Sequence, residues 1–258
     1  MKLSTHLTWR QAAGLVAILL STALPCHAAG LTVWSAGAVK PALEELAPEF
    51  QKATGTTLEV DYAPVGVLMR RLAQGQTPDV LILSADVVKE VEAKAWVPLG
   101  SAVPLGSVGV GVAVKQGSAI PDISTPEALR HVLLAAKSVT YMDPQKGTSG
   151  KHFADVLAQL GIVEQVRPKT TLGDVGYVLE PVARGEIELG VQQITEILPV
   201  KGAVLVGPLP ASLQKVTTYS IMPTVKLGHP EFFNQLRKFL QTPEASTVFK
   251  RKGFMVEP

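Results

Sequence analysis

The sequence predicts an α/β fold in which strands and helices alternate and the strands run largely parallel. Two observations carry that prediction. Asp79-Val80-Leu81-Ile82-Leu83 and Val108–Val114 are continuous apolar runs, the pattern of strands covered on both faces. Between such runs lie stretches of helical spacing that open near proline or Ser/Thr and close at glycine. No internal repeat or low-complexity tract interrupts the alternation.

Residues 1–28 are expected to be a signal peptide. Lys2 and Arg10 form a positive start, Ala12–Leu24 is apolar, and Pro25-Cys26-His27-Ala28 leads to a small-residue cut near Ala28. Ala23-Leu24-Pro25 is a poor lipidation box for Cys26, so a cleaved chain released to the periplasm is expected. Leu31–Ser35 then reads as a strand, Pro41–Lys52 as a helix stopped by Gly55, and Leu58–Tyr62 as a strand. Val67–Gln74 reads as a helix, Asp79–Leu83 as a buried strand, Asp86–Ala95 as a helix and Val108–Val114 as a single strand. A second series follows. Thr125 caps a helix with Pro126 in its first position. Ser138–Met142 is a short strand stopped by Asp143-Pro144, and Ala154–Leu160 is helical with Gly161 as its end. Lys169–Leu172 is a short strand, Gly176–Arg184 a helix, Leu189–Gln193 and Val204–Val206 strands, and Lys215–Met222 a returning strand. Helices over Glu231–Leu240 and Glu244–Lys250 close the chain.

Composition narrows the function. The 24 basic and 22 acidic residues become 22 of each once Lys2 and Arg10 leave with the signal, so charge gives no case for nucleic acid. The chain's one cysteine, Cys26, leaves too, which removes disulfides, thiol catalysis and cysteine metal sites from the expected mature protein. Roughly 230 mature residues can bury a core as one large domain or two lobes.

The stretch with most chemistry is Gly147-Thr148-Ser149-Gly150-Lys151-His152, between a strand and a helix. Free N–H groups at a helix start, with hydroxyls and a lysine beside them, suit an anion. An ordinary Ser/Thr helix cap explains the same residues equally well. It is not the phosphate loop G-x-x-x-x-G-K-[ST]: Gln145 stands at the first glycine and His152 follows the lysine, so a nucleotide hydrolase is rejected.

Four phrases, following the export signal, support a resemblance. L-T-V-W-S-A-G-A-V at Leu31–Val39, A-P-E-F-Q-K-A-T-G at Ala47–Gly55, P-D-V-L-I-L-S-A-D at Pro78–Asp86 and A-R-G-E-I-E-L-G at Ala183–Gly190 follow the export signal. In that order they resemble the type II periplasmic solute-binding proteins, near the molybdate-binding branch. The resemblance implies two α/β lobes, each a mostly parallel sheet flanked by helices, with a ligand cleft between them. Lobe one would comprise residues 29–111 and 218–258, and lobe two 112–217. An ABC permease is then the implied partner, and a monomer the implied state.

The molybdate ligands do not all carry over. Ser35 stands near the first family serine, but Ala63-Pro64-Val65-Gly66 holds no second hydroxyl, and Gln192-Gln193 replaces the expected tyrosine. The replacements suit a carboxylate, which hydroxyls, amides and Arg forks meet well. The expected ligand is a small anion, foremost a di- or tricarboxylate of the aconitate or citrate type, with oxyanions as the further option. Candidate binding residues are Ser35, Gly37, Lys40, Arg70, Thr148, Ser149, Gly150, Lys151, Tyr177, Gln192 and Gln193. Arg71 is a weaker one. For Lys40, Arg70, Arg71 and Lys151 the competing reading is a solvated helix face, and alternation puts at most one glutamine toward the cleft.

G-T-S-G at Gly147–Gly150, G-Y-V-L-E-P-V-A-R-G-E at Gly176–Glu186 and G-V-Q-Q-I-T-E-I-L-P-V-K-G at Gly190–Gly202 resemble a divergent subgroup of this fold, that of bacterial aconitate isomerase. That resemblance implies an allylic proton transfer without metal or cofactor. An enzyme would need a base. His152 is the first candidate, and Tyr141, Asp143, Tyr177 and Glu180 are weaker ones, the last two being three apart on one predicted helix. Capture of the anion as the binding component of an ABC importer is the expected function, because the fold explains it without extra assumptions, and catalysis in the same cleft is the alternative.

Overall fold

The computed structural model describes residues 30–174, 176 and 178–256. The expected signal peptide and Tyr177 lie outside the described residues. The first series runs β1 (Gly30–Ala36), α1 (Lys40–Thr54), β2 (Thr57–Ala63), α2 (Val65–Ala73), β3 (Val80–Ser84), α3 (Val88–Ala93) and β4 (Val103–Val108). A 3-10 turn over Gly37–Val39 leads directly into α1. The second series runs β5 (Val110–Lys115), α4 (Pro126–Ala135), β6 (Val139–Met142), α5 (Thr148–Gln159), α6 (Val163–Val166), β7 (Thr170–Gly173), α7 (Glu180–Arg184), β8 (Leu189–Gln193), α8 (Ile194–Ile197) and β9 (Ala203–Pro208). The chain then returns through β10 (Thr217–Pro223) to α9 (Pro230–Leu240) and α10 (Pro243–Arg251).

Two five-stranded sheets result, in the orders β2-β1-β3-β10-β4 and β7-β6-β8-β5-β9. Within each, three strands are parallel and the strands on the crossing side are antiparallel. β3, buried at every residue, lies at the centre of the first sheet, as its unbroken apolar run requires. Each sheet has its own core. Phe50, Leu68, Ile82 and Phe249 belong to one cluster, and Val112, Leu133, Phe153 and Val191 to another. The molecule is therefore a two-lobed α/β protein.

The apolar run Val108–Val114 is not one strand. Gly109 separates β4 from β5, which lie in different sheets, so Val110 and Gly111 already pair in the second. Apolarity marked burial correctly, but burial in two cores looks the same in sequence as burial in one. The return crosses over residues 209–216. Gln214 holds the crossings together: its Nε2 donates to the Val110 carbonyl at 2.8 Å and its Oε1 accepts from Val110 N–H at 2.9 Å.

Two helix expectations also shift. α5 begins at Thr148 and not at Ala154, because Gly147 supplies an extended cap residue and Thr148 and Ser149 enter the first turn. Of the expected Gly176–Arg184 helix, the described helical part is α7 (Glu180–Arg184), and Gly176 stands outside it. The Thr125 cap is present, with its hydroxyl accepting from Ala128 N–H at 3.1 Å.

Candidate functional site

Ligands of open α/β sheets sit outside the carboxyl ends of the strands. Here the ends of β1, β2, β6 and β8 open onto one cavity of about 210 Å³ between the lobes. That is below the roughly 300–1,000 Å³ of drug-sized sites and suits a small ligand.

The first lobe lines it with the Ala36–Ala38 turn, Lys40, Tyr62, the Ala63-Pro64-Val65 entry to α2, and Tyr219 of β10. The second lobe brings Met142, Gly147, Thr148, Ser149, Gly176, Gln193 and Glu196. Helix starts leave their first N–H groups without intrahelical acceptors. The turn into α1 and the start of α5 present such groups from opposite lobes. No side chain caps either one. α2 is different, because its Gly66 N–H donates across the cleft to the Lys146 carbonyl at 2.9 Å. A Cβ at Gly66 would lie 2.9 Å from the Gln145 and Lys146 carbonyl oxygens, so only glycine allows the lobes to meet there.

Among the described lining residues, Lys40 carries the positive charge and Glu196 the carboxyl. Lys40 Nζ is 3.6 Å from Glu44 and 5.7 Å from the centre of the Tyr62 ring. Glu196, on the short helix after β8, is 8 % exposed. Burial pushes its carboxyl up to about 8, and a hydrogen bond with Gln192 offsets part of that rise. Its Oε1 comes within 2.7 Å of where a Cβ would stand on Gly37, across the interlobe boundary. Tyr219 is held protonated far above the usual phenol range, first by burial and then by the neighbouring Glu196. Its hydroxyl accepts from Gln193 Nε2 at 3.2 Å and is hydrogen-bonded to Thr148. Gln193 Oε1 is buried with no partner among the described residues, as is Gln192 Oε1.

A family profile for bacterial extracellular solute-binding proteins matches residues 31–255, nearly all of the described chain. The chain belongs to that family. Among curated relatives of this solute-binding protein is the aconitate isomerase of a Pseudomonas species, 32 % identical over 88 % of each chain. Another is the molybdate-binding protein ModA of Escherichia coli, 27 % identical over 88 % of this chain and 89 % of the relative. The periplasmic molybdate-binding protein of Azotobacter vinelandii superposes with a TM-score of 0.74 at 19 % identity, over 88 % of this chain and all of the other. That last likeness identifies a type II binding-protein fold.

The interlobe cavity brings together Gly37, Lys40, Thr148, Ser149 and Gln193. Ser35 is buried beneath it, its hydroxyl donating to the Ala36 carbonyl at 3.2 Å. Gly150 packs behind the loop, where a Cβ would fall 1.9 Å from the Met142 carbonyl oxygen. Gln192 points into the second lobe, with its Nε2 3.4 Å from the Gly176 carbonyl oxygen. Arg70 and Lys151 are exposed and do not line the cavity.

The described candidate acid/base residues also lie elsewhere. His152 does not line the cavity, because its Nε2 is 2.8 Å from the Leu213 carbonyl of the return crossing. Glu180 is exposed beside an outer groove with Ala183 and Lys201. Tyr141 is in the core, edge-on to Phe153, and Asp143 accepts from Gln145 N–H.

Reading residue types missed Glu196, Tyr219, Tyr62 and Met142. A usable signal for Glu196 was present. It is an acidic residue three positions after β8 ends, in the kind of strand-to-helix turn that faces the crevice.

Proposed function

We propose that this exported solute-binding protein takes a small polycarboxylate of the aconitate type into its interlobe cleft and interconverts the cis and trans isomers by proton transfer. The observation that carries this reading is the pair of uncapped helix starts, before α1 and at α5, facing one small cavity from opposite lobes. A single molecule with carboxylates at separated positions engages both, with Thr148, Ser149 and Lys40 as further donors. Catalysis beyond capture is supported by the 32 % identity to aconitate isomerase. It is also supported by the acidic residue in the wall, since a buried carboxyl that can hold or release a proton serves proton transfer and is not required for capture alone.

A second reading has its own support. The molybdate-binding relative at 27 % identity and the Gly66–Lys146 contact across the cleft fit a binding component that hands its anion to an ABC permease. Proton NMR in heavy water with cis- and trans-aconitate separates the two. Conversion with deuterium entering the methylene group is expected. Saturable line broadening without conversion favours the importer role. Neither effect removes aconitate and returns oxyanions to the front.

A further inference from the structure

We propose that Glu196 is the catalytic residue, its carboxylate taking the proton from the methylene carbon of the bound tricarboxylate and returning it to the other end of the allylic system. This rests on the isomerase reading above. In the first step the methylene C–H bond breaks and an O–H bond forms on Glu196, while the electron pair spreads over three carbons and the adjoining carboxylate. In the second, that O–H bond breaks and a C–H bond forms at the former vinylic carbon, so the double bond moves by one position. The skeleton is symmetric about the central carbon. The product is therefore again aconitate, with its geometry set by the torsion about the former single bond. Atoms and charge balance, and Glu196 ends as it began.

Three observations place the residue in this role. Glu196 is the acidic group among the described lining residues, whereas His152 and Glu180 lie off the cavity. Its carboxyl is fixed from one side by Gln192, and Gly37 lacks the Cβ that would displace it at 2.7 Å. The turn over Gly37–Val39 and the α5 start flank it, so carboxylates anchored there hold the intervening carbons beside it. Tyr219 stays protonated and offers a hydroxyl to the negative charge that develops.

The titratable groups sharing the cavity are Lys40 of α1, Tyr62 of β2 and Tyr219 of β10, with Asp86 acting on Tyr219 from further off. Burial keeps Glu196 half-ionised at about 8, close to where a general base works best.

The test compares wild type with Glu196→Gln and Glu196→Asp by proton NMR in heavy water on trans-aconitate, with line broadening as the measure of binding. Glu196→Gln is expected to bind within about threefold of wild type and to lose at least about 100-fold in conversion and deuterium uptake, the range of a general acid–base group. Glu196→Asp is expected to recover part of the loss. Glu196→Gln converting within about tenfold of wild type overturns the assignment and leaves the isomerase reading intact. Wild type that binds without converting overturns both. A measurement without any variant guards against misfolding: the wild-type rate of isomer conversion should rise with pH and level off above about 8. A flat profile between about 6 and about 9 overturns the proposal.

Discussion

The two walls of the cleft are built from different materials. The first-lobe wall is mostly small or apolar, with Ala36, Gly37, Ala38, Ala63, Pro64 and Val65 presenting backbone to the cavity. The second-lobe wall carries Thr148, Ser149, Gln193 and Glu196, which are side chains that donate, accept or hold a proton. One wall supplies shape and a helix start, and under the proposed function the other adds selectivity and proton chemistry. The fold alone explains the first wall, so on the proposed reading it is the second that would set this chain apart from an oxyanion carrier.

Introducing one methyl group on each side breaks or sharpens that comparison most strongly. At Gly150 the new Cβ meets the Met142 carbonyl carbon and oxygen at 2.6 and 1.9 Å, and backbone there has little room to move. Gly150→Ala should cost about 3 kcal/mol in urea unfolding, the upper end of overpacking. At Gly37 the Cβ meets only the end of Glu196, at 2.7 Å. A rotated side chain relieves that contact for about 1 kcal/mol. Gly37→Ala should therefore fold but bind and turn over poorly. Equal stability losses in the two variants would contradict the division of labour.

Next in size is a pH effect confined to the second wall. The folded value of Glu196, about 8, lies above its ordinary 4.5. Between those limits the native state holds a proton that the unfolded chain has released. This contribution is therefore complete below about 4.5 and declines as pH rises towards about 8. Melts of the unliganded protein should show stability falling by at most about 1.4 kcal/mol per pH unit across that window. Glu196→Gln should flatten the slope, and an unchanged slope would place the carboxyl in water.

How much of this was legible in sequence follows the same division. The buried β3 run, the Thr125-Pro126 cap and the alternation of strands and helices are local signals, and they predicted the fold. The switch of sheet at Gly109 was not legible, because Val108 and Val110 are equally apolar on either side of it. In the candidate site, Thr148 and Ser149 were placed on the cavity they line because a helix start advertises its chemistry locally. Glu196 was overlooked because its environment is made by Gly37, 159 positions earlier in the chain and in the other lobe. His152 was overrated for the converse reason: its type suggested catalysis, while its partner, the Leu213 carbonyl, is set by the return crossing.

Smaller effects test the anion loop. Thr148→Ala and Ser149→Ala should each weaken binding of the polycarboxylate about tenfold, the loss of roughly one charge-assisted hydrogen bond. Thr148 also bonds to Tyr219, so its removal should slow turnover more than the Ser149 change does. The two residues are adjacent, and the double variant should lose less than the product of the single losses. Titration calorimetry reads all three, and unchanged affinity in both single variants would remove the loop from the site.

The smallest effect decides whether long-range charge draws the anion in. Arg70 and Lys151 are exposed and off the cavity, one on each lobe. Their charges reach the ligand only through water and are screened beyond about 8 Å at physiological salt. Removing either one should leave stability within about 0.5 kcal/mol and affinity within about twofold. Lys40, which lines the cavity, behaves differently: Lys40→Gln should cost about tenfold, because its charge-assisted bond is formed inside the cleft. If Lys151→Ala cost as much as Lys40→Gln at physiological salt, the ligand would sit further out along α5 than the cavity. The second wall would then extend to the exposed face of that helix.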